Sequence, residues 1–206
     1  NAGYSLTSGG NNVLIGHNTG DGFDTESNNL AVGNSALGGS IAGGEFNVAI
    51  GNNSLDALTS GDENTAVGYE AGSGITTGNQ NVFIGRYSGR VATTGGYNTC
   101  VGSTSGVAMT GASNNNTLIG VESGRSLTTG DNNVALGSES LGGSSGATTE
   151  SNNVAIGVNS MRSNSLSGAE YNVTVGNNTL DALTSGDNNV AVGHNAGTGI
   201  TTSSLN

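Results

Sequence analysis

Short apolar triplets, each preceded by asparagine and closed by glycine, punctuate an otherwise polar chain. The recurring unit is Asn-[Val/Thr/Leu]-x-[Ile/Val/Leu]-Gly. Its glycines are Gly16, Gly33, Gly51, Gly68, Gly85, Gly102, Gly120, Gly137, Gly157, Gly176 and Gly193. Successive spacings are 17, 18, 17, 17, 17, 18, 17, 20, 19 and 17 residues, which is the signature of a repeat architecture. Four residues before each glycine stands Asn: Asn12, Asn29, Asn47, Asn64, Asn81, Asn98, Asn116, Asn133, Asn153, Asn172 and Asn189. Three residues after it comes a small residue such as Thr19, Ala36, Ser54, Ala71 or Ser88, and seven after it often an apolar one, such as Leu58, Ile75, Leu127, Leu183 or Ile200.

Alternation in the triplet predicts a short strand whose first and third side chains share one face. Glycine ends the strand because it tolerates a positive φ where the chain must bend. A helix is excluded, since glycine and β-branched residues fill most positions and no 3.6-residue stripe survives between copies. One repeat has too few apolar side chains to bury by itself, so the coils must stack. The expectation is an all-β, parallel β-solenoid of about eleven coils of roughly 17 residues, forming a rod of about 50 Å. Residues 1–206 read as a single array. Stacked Asn side chains would hydrogen-bond from coil to coil as a ladder. The middle triplet position, which includes Ala49, Ala66, Phe83, Cys100 and Ala135, lies on the opposite face from the branched pair. That face is expected to meet another subunit, with a cyclic homotrimer closing it around an axis.

A longer period is present too. Residues 46–77 match residues 171–202 at 23 of 32 positions, an offset of seven coils. Both ends fall inside a repeat, so the expectation is a segment of a longer array.

Composition narrows the function. There are 38 Gly and no Pro or Trp, with 9% charged residues. The net charge of −11, with four arginines and no lysine, offers no basic face for nucleic acid or an anionic membrane. No apolar stretch is long enough to span a bilayer. Cys100 is the single cysteine, so an intrachain disulfide is excluded.

Chemistry is sparse. His17 and His194 follow a motif glycine in equivalent solvent-facing places, and no nucleophile, base and orienting acid share a locus. The expectation is therefore no enzyme, no catalytic residue and no cofactor. Asp21, Asp24 and Glu26 form the densest acidic cluster, but their spacing matches neither an EF-hand nor a nonapeptide calcium repeat, so no metal site is expected. Paired threonines such as Thr76-Thr77 point to opposite faces of an extended segment and give no flat double row. The longest spacing contains Leu141 to Glu150, read as tolerated length drift on the surface.

Asn-Val-Ala-Ile-Gly at 47–51 and 153–157, followed three residues on by a small residue, resembles the head repeat of YadA-type trimeric autotransporter adhesins. The longer form at 183–197, with Leu-Thr-Ser-Gly before Asn-Asn-Val-Ala-Val-Gly-His-Asn-Ala-Gly, is similar to repeat arrays of phage tail-fibre proteins. The first resemblance implies a left-handed, trimeric β-roll with a shorter coil. Together they imply an extracellular fibre: the shaft of a bacteriophage tail-fibre-type protein, or else a bacterial surface adhesin or self-assembling filament. The implied partners are further copies of the chain and a cell-surface glycan or protein receptor, without membrane insertion.

Overall fold

The computed structural model describes residues 1–40, 43–143, 148–163 and 166–204. The chain is a parallel β-solenoid of about ten turns, with no helix among the described residues. Each repeat contributes one three-residue strand. In order these are β1 (Val13–Ile15), β2 (Leu30–Val32), β3 (Val48–Ile50), β4 (Thr65–Val67), β5 (Val82–Ile84), β6 (Thr99–Val101), β7 (Thr117–Ile119), β8 (Val134–Leu136), β9 (Val154–Ile156), β10 (Val173–Val175) and β11 (Val190–Val192). Each pairs in parallel with its sequence neighbours and in matching register, as in Val48↔Thr65, Ala49↔Ala66 and Ile50↔Val67. The remaining sides of each coil are stacked turns whose amides bond to the next coil, for example Leu55 N–H to Ala71 O and Thr59 N–H to Thr76 O.

The sheet faces the opposite way from the sequence expectation. Ala49, Ala66, Phe83, Cys100 and Ala135 are all fully buried in the chain's own core rather than turned toward another subunit. The branched pair points outward: Ile50, Ile84 and Leu136 are 37%, 38% and 45% exposed. The reason is room. A coil of 17 residues encloses a narrow interior already occupied by Asn, by the small residue and by the later apolar side chain. Two further branched side chains do not fit there, whereas one Ala does.

The coil closes through three left-handed corners. Positive φ recurs at the residue before the ladder Asn (Asn28, Phe46, Tyr97), two after the motif glycine (Asn53, Glu70, Thr104) and four after it (Leu55, Gly72, Gly89). The ladder asparagines themselves are not left-handed; their predecessors are. The motif glycines have φ between +121° and +142°. At ten of them an added Cβ would fall 2.2–2.6 Å from the carbonyl oxygen of the next coil's motif glycine, so both conformation and space demand glycine.

The third corner trades volume with the strand. Where the strand's middle residue is Ala49, Ala135 or Ala155, the corner residue is Leu55, Leu141 or Met161. Where it is Phe83 or Leu118, the corner is Gly89 or Gly124. A Cβ on Gly89 would sit 2.3 Å from the Phe83 ring, and one on Gly124 would lie 2.6 Å from Leu118 Cδ1. In these coils the two positions hold nearly constant volume, the condition under which apolar swaps are tolerated, whereas the space left by Ala66 with Gly72 is filled by Phe83 and Leu55 of the adjoining coils.

Candidate functional site

The Asn column forms the spine of the rod. All eleven are buried except the partly buried Asn12 at the first coil. From Asn12 to Asn172 each Oδ1 accepts the backbone N–H of the next Asn, as in Asn81 to Asn64 at 3.1 Å and Asn98 to Asn81 at 3.0 Å. The same oxygen accepts that residue's Nδ2, at 3.0 Å in both pairs. Nδ2 also donates to a carbonyl across the coil, from Asn81 to Gly95 O at 2.9 Å. The amide side chain is therefore satisfied on both its donor and acceptor sides, which is what burial of a polar group requires.

Two columns escaped the sequence reading. The position two before the ladder Asn makes a second, outer ladder: Asp62 Oδ1 accepts Glu45 N–H at 2.8 Å, and Asn79 Oδ1 accepts Asp62 N–H at 2.7 Å. Its signal in the sequence is the Asp/Asn-rich run that precedes most ladder asparagines, a composition shared with ordinary turns. The position three before the Asn is mostly glycine, yet Glu26 and Glu150 occupy it and are buried. Both precede a coil longer than 17 residues. Glu26 accepts N–H groups from Asp24, Thr25 and Gly43, so its carboxylate fills space that the widened coil opens. Neither Glu150 oxygen has a hydrogen-bond partner, and burial pushes its carboxyl above the usual range, with nearby backbone amides and the Thr148 hydroxyl only partly offsetting this.

The positions singled out for chemistry are quiet. Asp21 and Asp24 accept from Tyr4 N–H and the Thr7 hydroxyl, and no metal-holding group of three His, Cys, Asp or Glu exists among the described residues. His17 lies exposed, with its Nδ1 3.4 Å from Asn34 Nδ2. Cys100 is fully buried, and desolvation drives its thiol far above the usual range, away from the reactive thiolate. The Thr76 hydroxyl is spent on Thr93 O. Of the long insertion, Ser144 to Ala147 lie outside the described residues.

Two surfaces stand out instead. The outward rows of the sheet, Val13 to Val190 and Ile15 to Val192, contain only Val, Leu, Ile and Thr in all eleven coils. Beside the first row stand exposed Phe46, Tyr97 and Tyr171; beside the second, just past the motif glycine, stand exposed Val121 and Val158. The other surface is an aromatic and basic cluster on consecutive coils. Tyr69 and Tyr87 have ring centroids 5.5 Å apart, the Arg86 and Arg90 guanidiniums lie 4.1 and 5.0 Å from the Tyr87 centroid, and Arg90 reaches Glu70 at 3.9 Å. A small open groove of about 210 Å³ lies before the strands, between Asp62, Glu63, Asn79, Gln80 and Tyr97.

No family model, curated protein or solved structure matches this chain.

Proposed function

We propose that the chain is a shaft segment of an extracellular fibre, most nearly of bacteriophage tail-fibre type, serving as a spacer rather than a catalyst. The observation that carries this reading is the uniform, uninterrupted stack: one sheet, one buried amide ladder and a near-constant coil across the whole sequence. Such a rod transmits distance and force, and hides its backbone from proteases in coil-to-coil hydrogen bonds. Extracellular use fits a fold whose backbone is held by coil-to-coil hydrogen bonds and needs no intrachain disulfide.

A second reading, a surface adhesin whose repeats make contacts themselves, is favoured by the Tyr69–Tyr87–Arg86–Arg90 cluster. Stacked phenol rings with neighbouring guanidiniums suit a glycan or an acidic protein surface. One experiment separates the two. Fluorescently labelled chain is titrated onto bacterial cells and onto a glycan array, with electron microscopy of the same preparation. The shaft reading expects rods and no saturable binding. Saturable binding abolished by Tyr87→Ala would establish the adhesin instead, and compact particles would reject both.

A further inference from the structure

We infer that the corner following β4 and β5 is a binding site for an acidic sugar, a pyranose carrying a single carboxylate, held by the Arg86 guanidinium and the Tyr69 ring. This deepens the adhesin reading above, on which it rests for the sugar's being displayed on a cell. Arg86 is the carboxylate receptor. Among the described residues the other three arginines each reach a glutamate: Arg90 to Glu70 at 3.9 Å, Arg125 to Glu122 at 2.8 Å and Arg162 to Glu139 at 2.5 Å. Arg86 makes no such ion pair; it is exposed, with its guanidinium 4.1 Å from the Tyr87 ring centroid. Contact with a ring at this distance engages the face of the guanidinium. The N–H edge stays free, and its fork of donors matches the two oxygens of a carboxylate. In a chain with fifteen acidic residues, an arginine left without a carboxylate is a place where one can be supplied from outside.

The backbone holds these groups in place. Tyr87 N–H donates to Tyr69 O at 3.0 Å and Arg90 N–H to Tyr87 O at 3.3 Å, so the cluster is tied across two coils before a ligand arrives. The Tyr69 ring is 43% exposed, with its centroid 5.5 Å from that of Tyr87 and the two planes 59° apart. Its open side offers an apolar plane to the C–H face of a pyranose, while the polar group of the same sugar turns toward Arg86. Arg90 adds a second positive charge, 5.0 Å from the Tyr87 centroid, already engaged by Glu70. Glu70 and Asp56 repel each other, so the chain's own carboxylates stand near the site. A phosphate monoester, with close to two negative charges, meets about twice the repulsion that one carboxylate meets. Charge therefore selects a monoanion. The net charge of −11 disfavours loose anion binding elsewhere on the rod, which confines the ligand to this corner.

Saturation-transfer NMR of the 206-residue chain tests the site with four probes: an oligouronate, the same oligosaccharide with its carboxyls reduced, a sulfated neutral oligosaccharide, and acetate. The oligouronate is expected to bind saturably, with a Kd on the order of 1 mM for so open a site, and each of the other probes at least about tenfold more weakly. Arg86→Gln should weaken oligouronate binding at least about tenfold, and Arg86→Lys by less, since it keeps the charge and loses the fork. Tyr69→Ala should weaken the oligouronate and leave acetate unchanged. Arg125→Gln, in an ion pair on another coil, should change nothing. Circular dichroism checks each variant, and should Tyr69→Ala fail to fold, Arg86→Gln and the acetate arm decide. No saturable binding, equal binding of the carboxyl-reduced sugar, tighter binding of the sulfated one or of acetate, or an unaffected Arg86→Gln would each overturn the proposal. Binding to cells that Tyr87→Ala abolishes but the oligouronate does not compete would overturn this site and leave the adhesin reading standing. Oligouronate binding in solution with none to cells would do the reverse.

Discussion

Single residues here are governed by corner geometry and by a core with no slack. Gly89 combines both constraints: its φ is +58°, and a methyl there would strike the Phe83 ring. Gly89→Ala is expected to destabilise the chain by roughly 2–4 kcal/mol, from left-handed strain plus overpacking, measured by urea denaturation. A simultaneous Phe83→Ala should recover part of that loss, because it removes the ring that the new methyl would strike. Glu150 makes a pH-dependent case. Burial raises its folded-state pKa above the usual 4.5, so its contribution is fully favourable below that pH, where it is protonated, and is lost as pH climbs through the raised value. Glu150→Gln stays neutral throughout. It should be more stable than wild type by about 1–2 kcal/mol at neutral pH and indistinguishable near pH 3.5, as read from denaturation midpoints at both.

At the level of elements, no three-residue strand is stable alone; the coil exists because its neighbours complete its hydrogen bonds. Asn98 shows how much depends on one column. Its Oδ1 accepts both the N–H and the Nδ2 of Asn116, while its own Nδ2 reaches Ser113 O at 2.7 Å. Asn98→Ala should cost about 3 kcal/mol, since it leaves buried groups unpaired on both adjacent coils. Asn12 in the first coil is only partly buried, with its Nδ2 donating to Glu26 O at 2.7 Å, so water can replace part of what is lost, and Asn12→Ala should cost roughly 1 kcal/mol. Thermal melts of the two variants compare these directly, and equal losses would mean the ladder is not the cooperative unit.

Across the whole molecule, stability is close to a sum of coil and coil-to-coil terms, so the stack should open from its ends. Amide hydrogen exchange is expected to be slowest around β5 to β7 and at least about tenfold faster in β1 and β11. Uniform protection along the rod would show instead that unfolding is all-or-none. The net charge of −11 resides outside the two apolar rows and keeps the rest of the surface solvated.

The sequence by itself determined the repeat, its length, the stack and the parallel sheet, because Asn12 to Asn189 and Gly16 to Gly193 recur at a spacing that only coils of equal perimeter satisfy. It did not determine which way the strand faces. Alternation separates Val48 and Ile50 from Ala49 but is silent on which side is interior, and hydrophobicity alone points to the wrong one. That choice belongs to the tertiary structure, where the enclosed volume of a 17-residue coil admits Ala49 beside Asn47, Leu55 and Leu58 and has no space for two branched side chains more. The left-handed corners at Phe46, Tyr97 and Thr104 were likewise invisible, since residues of those types give no local sign of positive φ and adopt it only because the closed coil imposes it. The outward Val/Ile face therefore follows from closure of the coil rather than from the pattern that first revealed it.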